Sequence, residues 1–167
     1  NFFEKVPQNM MWNDYYNHAN EPVHHVPFLF NRVGAPWLTQ KWTRAICSRA
    51  YHNAVEGLVG NEDVGQMSAW YVLAASRFHP ITPGSTRYEL TSPVFSKTEI
   101  RLDPNFYKGG SFIIEAKNNS AQNIYIQSAK LNGKPYNKAY LDHQDIIRGG
   151  KLELIMGAQP NKQFGTK

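Results

Sequence analysis

The chain has 167 residues, which allows one domain or two small ones with a genuine core. With 41% apolar and 19% charged residues it is too apolar for a disordered segment, yet no apolar run is long enough to span a membrane. The single cysteine, Cys47, cannot form an internal disulfide and matches no zinc-binding spacing. The composition therefore argues against a collagen, a disulfide-stabilised scaffold and a membrane-spanning chain.

The net charge of +5 is unevenly distributed along the chain. Residues 1–80 carry six basic and six acidic residues, whereas residues 81–167 carry twelve and seven, so the second part holds the whole excess. All four tryptophans lie in the first part, away from that excess. Nucleic-acid binders usually interleave basic and aromatic residues in one place, so we expect no nucleic-acid partner.

Three helices are predicted within residues 1–80. The first runs from Pro22 to about Arg32, and a second proline inside it limits its regularity. The next, over residues 38–50, has an apolar stripe at helical spacing. The last, over residues 66–78, is apolar on nearly every side, so it must be surrounded by protein.

Beyond residue 80 the apolar pattern changes to the period of two that indicates strands. Four segments alternate clearly, and they are residues 99–102, 111–115, 123–127 and 151–155. The Asn132-Gly133 dipeptide is typical of a tight type I′ hairpin turn. The prediction for residues 81–167 is an antiparallel, β-sandwich-like module of about six short strands, which makes the fold class α+β.

The all-round apolar helix needs more partners than the sequence offers. Three helices cannot bury one another within roughly 80 residues, and a sheet can cover only one side of them. Either another chain supplies the missing partners, or the sequence is the C-terminal piece of a larger polypeptide. The absence of an initiator Met favours the second interpretation.

The first stretch rich in functional residue types surrounds Pro22. Because proline disfavours helix before it, we expect an irregular loop there that leads into the first helical turn. A surface loop with capping polar groups is the plain alternative. A zinc-protease site is excluded because H-E-x-x-H is absent, and the oxygen donors suit a hard cation such as calcium better than zinc. The candidate side chains are His18, Asn20, Glu21, His24 and His25.

The second stretch, residues 56–70, is a glycine-punctuated loop that runs into the last helix. Asp63, followed by Gln66 three positions later, fits a capping box at the start of that helix. The same ionised carboxylate suits a general base, which must hold no proton while water attacks. Spacing does not separate these two roles, and one residue can serve both. Trp37 and Trp70 could stack on a sugar face, although a core position is the default for helical aromatics.

Several long motifs of the chain occur together in one known family. Residues 18–30, H-A-N-E-P-V-H-H-V-P-F-L-F, resemble H-G-N-E-P-S-H-H-I-P-Y-L-Y, and residues 35–40, A-P-W-L-T-Q, resemble Q-P-W-K-T-Q. Residues 60–71, G-N-E-D-V-G-Q-M-S-A-W-Y, resemble G-N-D-D-x-G-Q-M-S-A-W-Y, and residues 125–135 and 160–162 also follow the pattern. The family that the chain resembles is glycoside hydrolase family 92, which comprises calcium-dependent, inverting, exo-acting α-mannosidases.

The resemblance implies an (α/α)6 toroid that carries the active site and is joined to β modules. Residues 1–80 would be the C-terminal helical segment of that catalytic domain, and residues 81–167 the C-terminal antiparallel β module. Asp63 matches the carboxylate that activates the hydrolytic water, with Asn61 and Glu62 beside it.

The resemblance also implies a sugar and calcium site. The candidate substrate-binding residues are His18, Asn20, Glu21, His24, His25, Trp37, Gln66 and Trp70. Calcium would bridge sugar hydroxyls and help to hold a distorted ring. Its candidate ligands are Asn20, Glu21 and Asp63.

Some positions depart from the family pattern. Ala19 replaces the usual Gly and Val23 the usual Ser or Thr, while Asn61 stands where some members have an acidic residue, which leaves water activation to Asp63. Glu56 and its following glycine do not continue into the E-G-x-x-W-Q-Y motif that carries the family's general acid. Inverting hydrolysis needs two carboxyl groups about 6.5–9.5 Å apart, so we expect the isolated chain to be inactive.

The leading hypothesis is the C-terminal portion of a calcium-dependent, inverting exo-α-mannosidase that acts on terminal, α-1,2-linked mannose of glycans. Its expected partners are mannose-containing glycans and the upstream part of the same polypeptide. The family also implies a secreted, periplasmic or cell-surface location in a bacterium. The alternatives are a non-catalytic glycan-binding module that uses Trp37 and the sheet face, and an assembly role in which residues 1–80 dock on a separate chain.

Overall fold

The computed structural model describes residues 16–166, so residues 1–15 of the predicted helical segment lie outside the described residues. The described chain begins with two short 3-10 helices, Glu21–Val23 and Val26–Asn31. The single helix predicted from residue 22 to residue 32 is therefore wrong. Pro22 and Pro27 each lie at the start of a 3-10 helix, because a proline nitrogen cannot donate the hydrogen bonds of a continuous α-helix.

Helix α1 spans Pro36–Arg49 and confirms the helix predicted over residues 38–50. Pro36 opens it, at a position where the missing N–H costs nothing. Its buried stripe includes Trp42 and Cys47. Burial raises the pKa of the Cys47 thiol to about 12, as expected for a cysteine that fills the core and stays protonated.

Helix α2 spans Gln66–Ala75 and ends before the predicted residue 78. Arg77 ends the helical path with a φ of 94°, in the left-handed region. The described chain encloses this helix on one side only, since Trp70 is fully buried whereas Val72 is 56% exposed. No helix within residues 16–166 is both long and apolar enough to cross a membrane.

Two sheets follow the helices. The smaller has the order β1-β2-β7, with strands Phe78–Pro80, Arg87–Leu90 and Tyr140–Asp142. The larger has the order β3-β4-β8-β5-β6, with strands Lys97–Arg101, Ser111–Lys117, Gly150–Gly157, Tyr125–Leu131 and Lys134–Pro135. A short helix α3, His143–Ile147, joins β7 to β8. The four predicted strands are confirmed within the larger sheet, and the combination of helices and sheets is an α+β fold.

The larger sheet is not entirely antiparallel, which corrects the prediction. Strand β8 lies between β4 and β5, parallel to β4 and antiparallel to β5. A parallel neighbour needs a crossover connection, and the chain between β4 and β8 passes through a hairpin, the smaller sheet and α3 before it returns. The predicted hairpin is confirmed: Leu131 pairs with Lys134, and Asn132 and Gly133 have φ values of 50° and 78°.

Two apolar cores lie under these elements. The helical core surrounds Trp70 and Ile46, and the sheet core surrounds Phe112 and Leu154. Polar side chains connect the two regions. Gln40 Oε1 accepts a hydrogen bond of 2.8 Å from Ile126 N, and Thr91 Oγ1 donates one of 2.6 Å to Ala74 O.

Candidate functional site

The two stretches that carry the candidate site lie side by side. A Cβ atom on Gly60 would lie 2.6 Å from the carbonyl oxygen of Ala19, so the loop before α2 passes directly against the loop before the first 3-10 helix. Gln66, at the start of α2, places its Nε2 3.3 Å from His24 Nδ1. Residue 60 must be a glycine for the two loops to approach this closely, because any side chain there would collide with the Ala19 backbone.

His18 lies in the core beneath these loops. Its ring is fully buried, with Nδ1 2.8 Å from Tyr16 Oη and Nε2 2.7 Å from Tyr51 Oη. Burial lowers the pKa of His18 to about 3, so the ring is neutral, donating to one tyrosine and accepting from the other. Both ring nitrogens are therefore engaged, and His18 supports the loop from below instead of facing a ligand.

His24 connects the two stretches. Its Nε2 lies 3.0 Å from His18 O and its Nδ1 faces the Gln66 amide. A neutral ring that donates from Nε2 and accepts at Nδ1 satisfies both contacts, and burial lowers the pKa of His24 in keeping with this form. The ring also stacks on that of His18, with centroids 4.6 Å apart.

Trp70 closes the aromatic cluster from the side of α2. It is fully buried, and its Nε1 donates a hydrogen bond of 3.0 Å to His24 O. Its ring meets that of His18 edge-on at 4.4 Å. The arrangement makes Trp70 a core residue that fixes the backbone of the loop, whereas Trp37, at the start of α1, is half-buried.

A groove of about 500 Å³ lies beside this cluster. Four of the candidate substrate-binding residues line it together with the turn over residues 79–85 and Tyr88, and they are Glu21, His24, His25 and Gln66. His25 and Asn20 are exposed, while Glu21 is half-buried with an Oε1 that has no hydrogen-bond partner. Within residues 16–166, no three His, Cys, Asp or Glu side chains are grouped as metal ligands usually are.

The loop before α2 differs from the predicted capping box. Gly65 precedes the helix and no side chain caps it, so the prediction that Asp63 and Gln66 form a capping box is wrong. Glu62 supplies a carboxylate instead, accepting hydrogen bonds from Ser68 N at 3.1 Å and from Ser68 Oγ at 3.0 Å. Glu62 thus stabilises the first turn of α2.

Asp63 and Asn61 are exposed on that loop. Asp63 and Val64 have φ values of 41° and 58°, and Gly65 continues the left-handed run at 86°. Each non-glycine residue in this region costs roughly 1–2 kcal/mol, and a β-branched valine is the least suited to it. Strain of this kind is concentrated at functional sites.

Two residues beneath the site carry no clear signal in the sequence. His79 is buried in β1, stacks on Phe28 at 4.4 Å and lines the groove. Burial lowers the pKa of His79 to about 4. Tyr51 binds His18 from 33 residues away, a separation that no local pattern reveals.

The chain belongs to glycosyl hydrolase family 92. The sequence model of that family's catalytic domain matches residues 1–158, in agreement with the resemblance of the motifs. The backbone also agrees with solved structures of this family, with TM-scores of 0.85 and 0.88.

The relatives support the assignment. The chain is 37% identical, with a TM-score of 0.88, to a family 92 α-mannosidase from Bacteroides thetaiotaomicron, over 98% of this chain and 22% of that one. It is 39% identical, with a TM-score of 0.83, to a family 92 inverting mannosidase from the same bacterium, over 91% of this chain and 20% of that one. A protein described as an uncharacterized secreted glycosidase of Arthroderma benhamiae is 31% identical over 148 residues, 89% of this chain and 19% of that protein. The chain thus spans about a fifth of the length of these relatives.

Proposed function

We propose that the chain is the C-terminal part of an inverting exo-α-mannosidase that removes terminal, α-1,2-linked mannose from glycans. The observation that carries the proposal is the contact between the two motif loops at Gly60 and Ala19. It joins the carboxylate-bearing loop to the histidine-rich loop, so both can contribute to one site. Family membership and the mannosidases among its relatives support the same reaction.

Asp63 is proposed as the general base. Asp63 is exposed on the loop whose Gly60 contacts Ala19, and its backbone lies in the left-handed region that is common at functional sites. It would accept a proton from water as that water attacks the anomeric carbon, while a second carboxyl group protonates the leaving oxygen. That acid is proposed to come from the upstream part of the polypeptide. Glu62, bound to Ser68, would position the loop, and Asn61 would contact the water or the sugar.

The groove is proposed to hold the terminal sugar. Glu21, His25 and Gln66 offer acceptors and donors for sugar hydroxyls, as expected for carbohydrate recognition. His24 would present a neutral ring whose direction is set by His18 O. His18 and Trp70, both fully buried, are proposed to position the loop from beneath.

Calcium is proposed as the cofactor of this site, with Asn20, Glu21 and Asp63 as the ligands from this chain. The buried Oε1 of Glu21, which has no hydrogen-bond partner, supports this role because an unpaired carboxylate oxygen is the donor that a hard cation prefers. When bound, the ion would supply charge stabilisation at the sugar hydroxyls. The residues of the chain would then orient the sugar and move the proton.

The upstream part of the same polypeptide is proposed to pack on the exposed side of α2 and the loops near it. Large apolar side chains are exposed there, and they are Val55 at 105%, Leu58 at 41%, Val64 at 110% and Val72 at 56%. Their exposure is unusual enough to indicate a covered surface. A secreted location is proposed from the relative described as a secreted glycosidase. The relatives come from a fungus and a bacterium, so a bacterial source stays a prediction.

The replacement Asp63→Asn in the intact enzyme tests the proposal. We expect kcat for mannose release from an α-1,2-mannobiose to fall by about 10²–10⁴, because a neutral amide cannot accept the proton. The thermal midpoint should hardly move, since surface substitutions usually cost less than about 0.5 kcal/mol.

Asp103→Asn is the matched control, because Asp103 is an exposed aspartate beside a turn of the sheet region and its carboxylate accepts a hydrogen bond from Asn105 N. It should leave kcat unchanged. Glu62→Gln should lower stability more than Asp63→Asn and kcat less. An Asp63→Asn enzyme with the parent's kcat would overturn the role of Asp63.

A further inference from the structure

A second cavity, of about 220 Å³, lies where four chain segments meet. It shares no lining residue with the groove of the candidate active site. The segment after the second 3-10 helix, strand β2, strand β7 and the end of the described chain all contribute to it. The lining residues that matter here are Asn31, Arg32, Arg87, Tyr140 and Thr166.

The cavity has more positive than negative charge around it. Glu89 is fully buried, and its carboxylate lies 2.6 Å from Arg32 Nε and 2.8 Å from Arg87 Nε. One carboxylate therefore faces two guanidinium groups. The sum of these three charges is +1.

Both arginines keep donors that Glu89 does not use. A guanidinium carries five N–H groups in one plane, and Glu89 engages only the Nε side of Arg32. Arg87 also donates from Nη2 to Glu89 Oε2 at 3.3 Å, and its Cζ lies 3.8 Å from the centre of the Tyr140 ring, a cation–π contact that restrains the side chain. The side chains of Arg32 and Arg87 are 37% and 26% exposed, so neither is fully enclosed by the fold.

Asn31 supplies an observation independent of the charge. The residue is 6% exposed and lines the cavity, and its Nδ2 donates to Glu89 Oε2 at 3.1 Å and to Ala139 O at 2.9 Å. Its Oδ1 is buried without a hydrogen-bond partner. A buried acceptor left unpaired destabilises the fold, and a ligand hydroxyl group that donates to it would remove that cost.

We propose that this cavity binds a small hydroxylated oxyanion, either a phosphate group or the carboxylate of an acidic sugar. The oxyanion accepts hydrogen bonds from the free edges of Arg32 and Arg87, which match such groups in a planar, two-pronged fashion. Its hydroxyl donates toward Asn31 Oδ1. The site is separate from the mannosidase site and does not depend on it.

Calorimetric titration of the intact protein with inorganic phosphate, with glucuronate and with mannose tests this site. We expect one or both anions to bind, and we expect Arg32→Gln to leave the affinity for mannose unchanged. Arg32→Gln should weaken anion binding at least tenfold, and Glu89 would still be paired with Arg87, so the fold should survive. Arg32→Lys keeps the positive charge but loses the planar, two-pronged donor group of arginine, so it should weaken anion binding by an intermediate amount.

The matched control is Arg101→Gln, since the Arg101 side chain is 89% exposed on strand β3 of the larger sheet and does not line the cavity. It should leave the affinity unchanged. Binding of phosphate alone or of glucuronate alone would support the site and identify its source of oxyanion. Absence of binding for both anions, or equal affinity in the Arg32→Gln and parent proteins, would overturn it. Mannose release by Arg32→Gln should equal that of the parent, so failure of this site is distinguishable from failure of the mannosidase proposal.

Discussion

The helical core and the sheet core are both buried, but they consist of different kinds of side chain. Around Trp70 the buried rings carry nitrogen and oxygen atoms that bond to one another, as in the contacts of His18 with Tyr51. The sheet core around Leu154 consists almost entirely of aliphatic chains and phenylalanines. Apolar packing fills space without direction, whereas hydrogen-bonded rings fix orientation. The directional core lies beneath the candidate site, where loop geometry matters.

Trp70→Ala should have the largest effect, because it should lower both the stability and the activity of the protein. The replacement empties a large buried site and should cost roughly 3–5 kcal/mol of the free energy of unfolding, measured by urea denaturation. It also removes the hydrogen bond that Trp70 Nε1 donates to His24 O, so the histidine-rich loop should lose its position. We expect mannose release per folded molecule to fall as well.

Leu154→Ala is the counterpart in the sheet core, because Leu154 is likewise fully buried. It should cost about 2–5 kcal/mol but leave mannose release per folded molecule unchanged. Trp70→Phe, which keeps most of the ring and removes the N–H, should lie between the parent and Trp70→Ala. Equal losses of activity in Trp70→Ala and Leu154→Ala would contradict the distinction between the cores.

Acid should destabilise the helical core selectively. Burial lowers the pKa of His18 to about 3 and of His79 to about 4, from 6.5 in the unfolded chain. Between the folded-state pKa values and 6.5, the unfolded state binds more protons than the folded state does. The stability that the neutral histidines contribute is therefore fully present above pH 6.5 and is lost as the pH falls. Each histidine contributes a slope of about 1.4 kcal/mol per pH unit within that window. Urea denaturation at pH 7, 6 and 5 measures it.

Two variants separate this effect from general acid sensitivity. His79→Gln removes one of the titrating rings and should flatten the pH dependence of stability by the slope of one group. Leu154→Ala, without a titrating group, should lower stability by the same amount at every pH. A His79→Gln protein with the parent's pH dependence would show that His79 is not held neutral in the folded state.

The sheet region could be predicted from the sequence because its signals are local. Alternation along 111–115 and 151–155 identifies buried and exposed faces directly, and Asn132-Gly133 encodes a turn in two residues. The parallel pairing of β4 with β8 could not be predicted, since alternation carries no information on which strands become neighbours.

The site was predictable in its parts but not in its arrangement. Local composition predicted the loop around Glu21, which lines the groove, whereas the role of the Asp63 carboxylate stays a prediction. The expected capping box failed because three successive left-handed residues turn the chain before α2, and Glu62 reaches Ser68 instead. The burial of His18 depends on Tyr51, which lies far away in the chain. Contacts between residues so far apart cannot be predicted from local sequence patterns.

Gly133→Ala should have the smallest effect, and it tests whether the local sequence of the turn determines the hairpin of the sheet region. Gly133 has a φ of 78°, and a Cβ there would meet nothing within 4 Å, so only backbone strain opposes the change. The cost should be about 1 kcal/mol, measured by urea denaturation. Lys134→Ala, at an exposed position of the same hairpin, should change stability by less than about 0.5 kcal/mol. If both variants lower the stability equally, the hairpin does not depend on the left-handed glycine. The register of β5 with β6 must then be set by the pairing of β5 with β8 and by the 2.7 Å hydrogen bond from Lys151 N to Asn132 Oδ1.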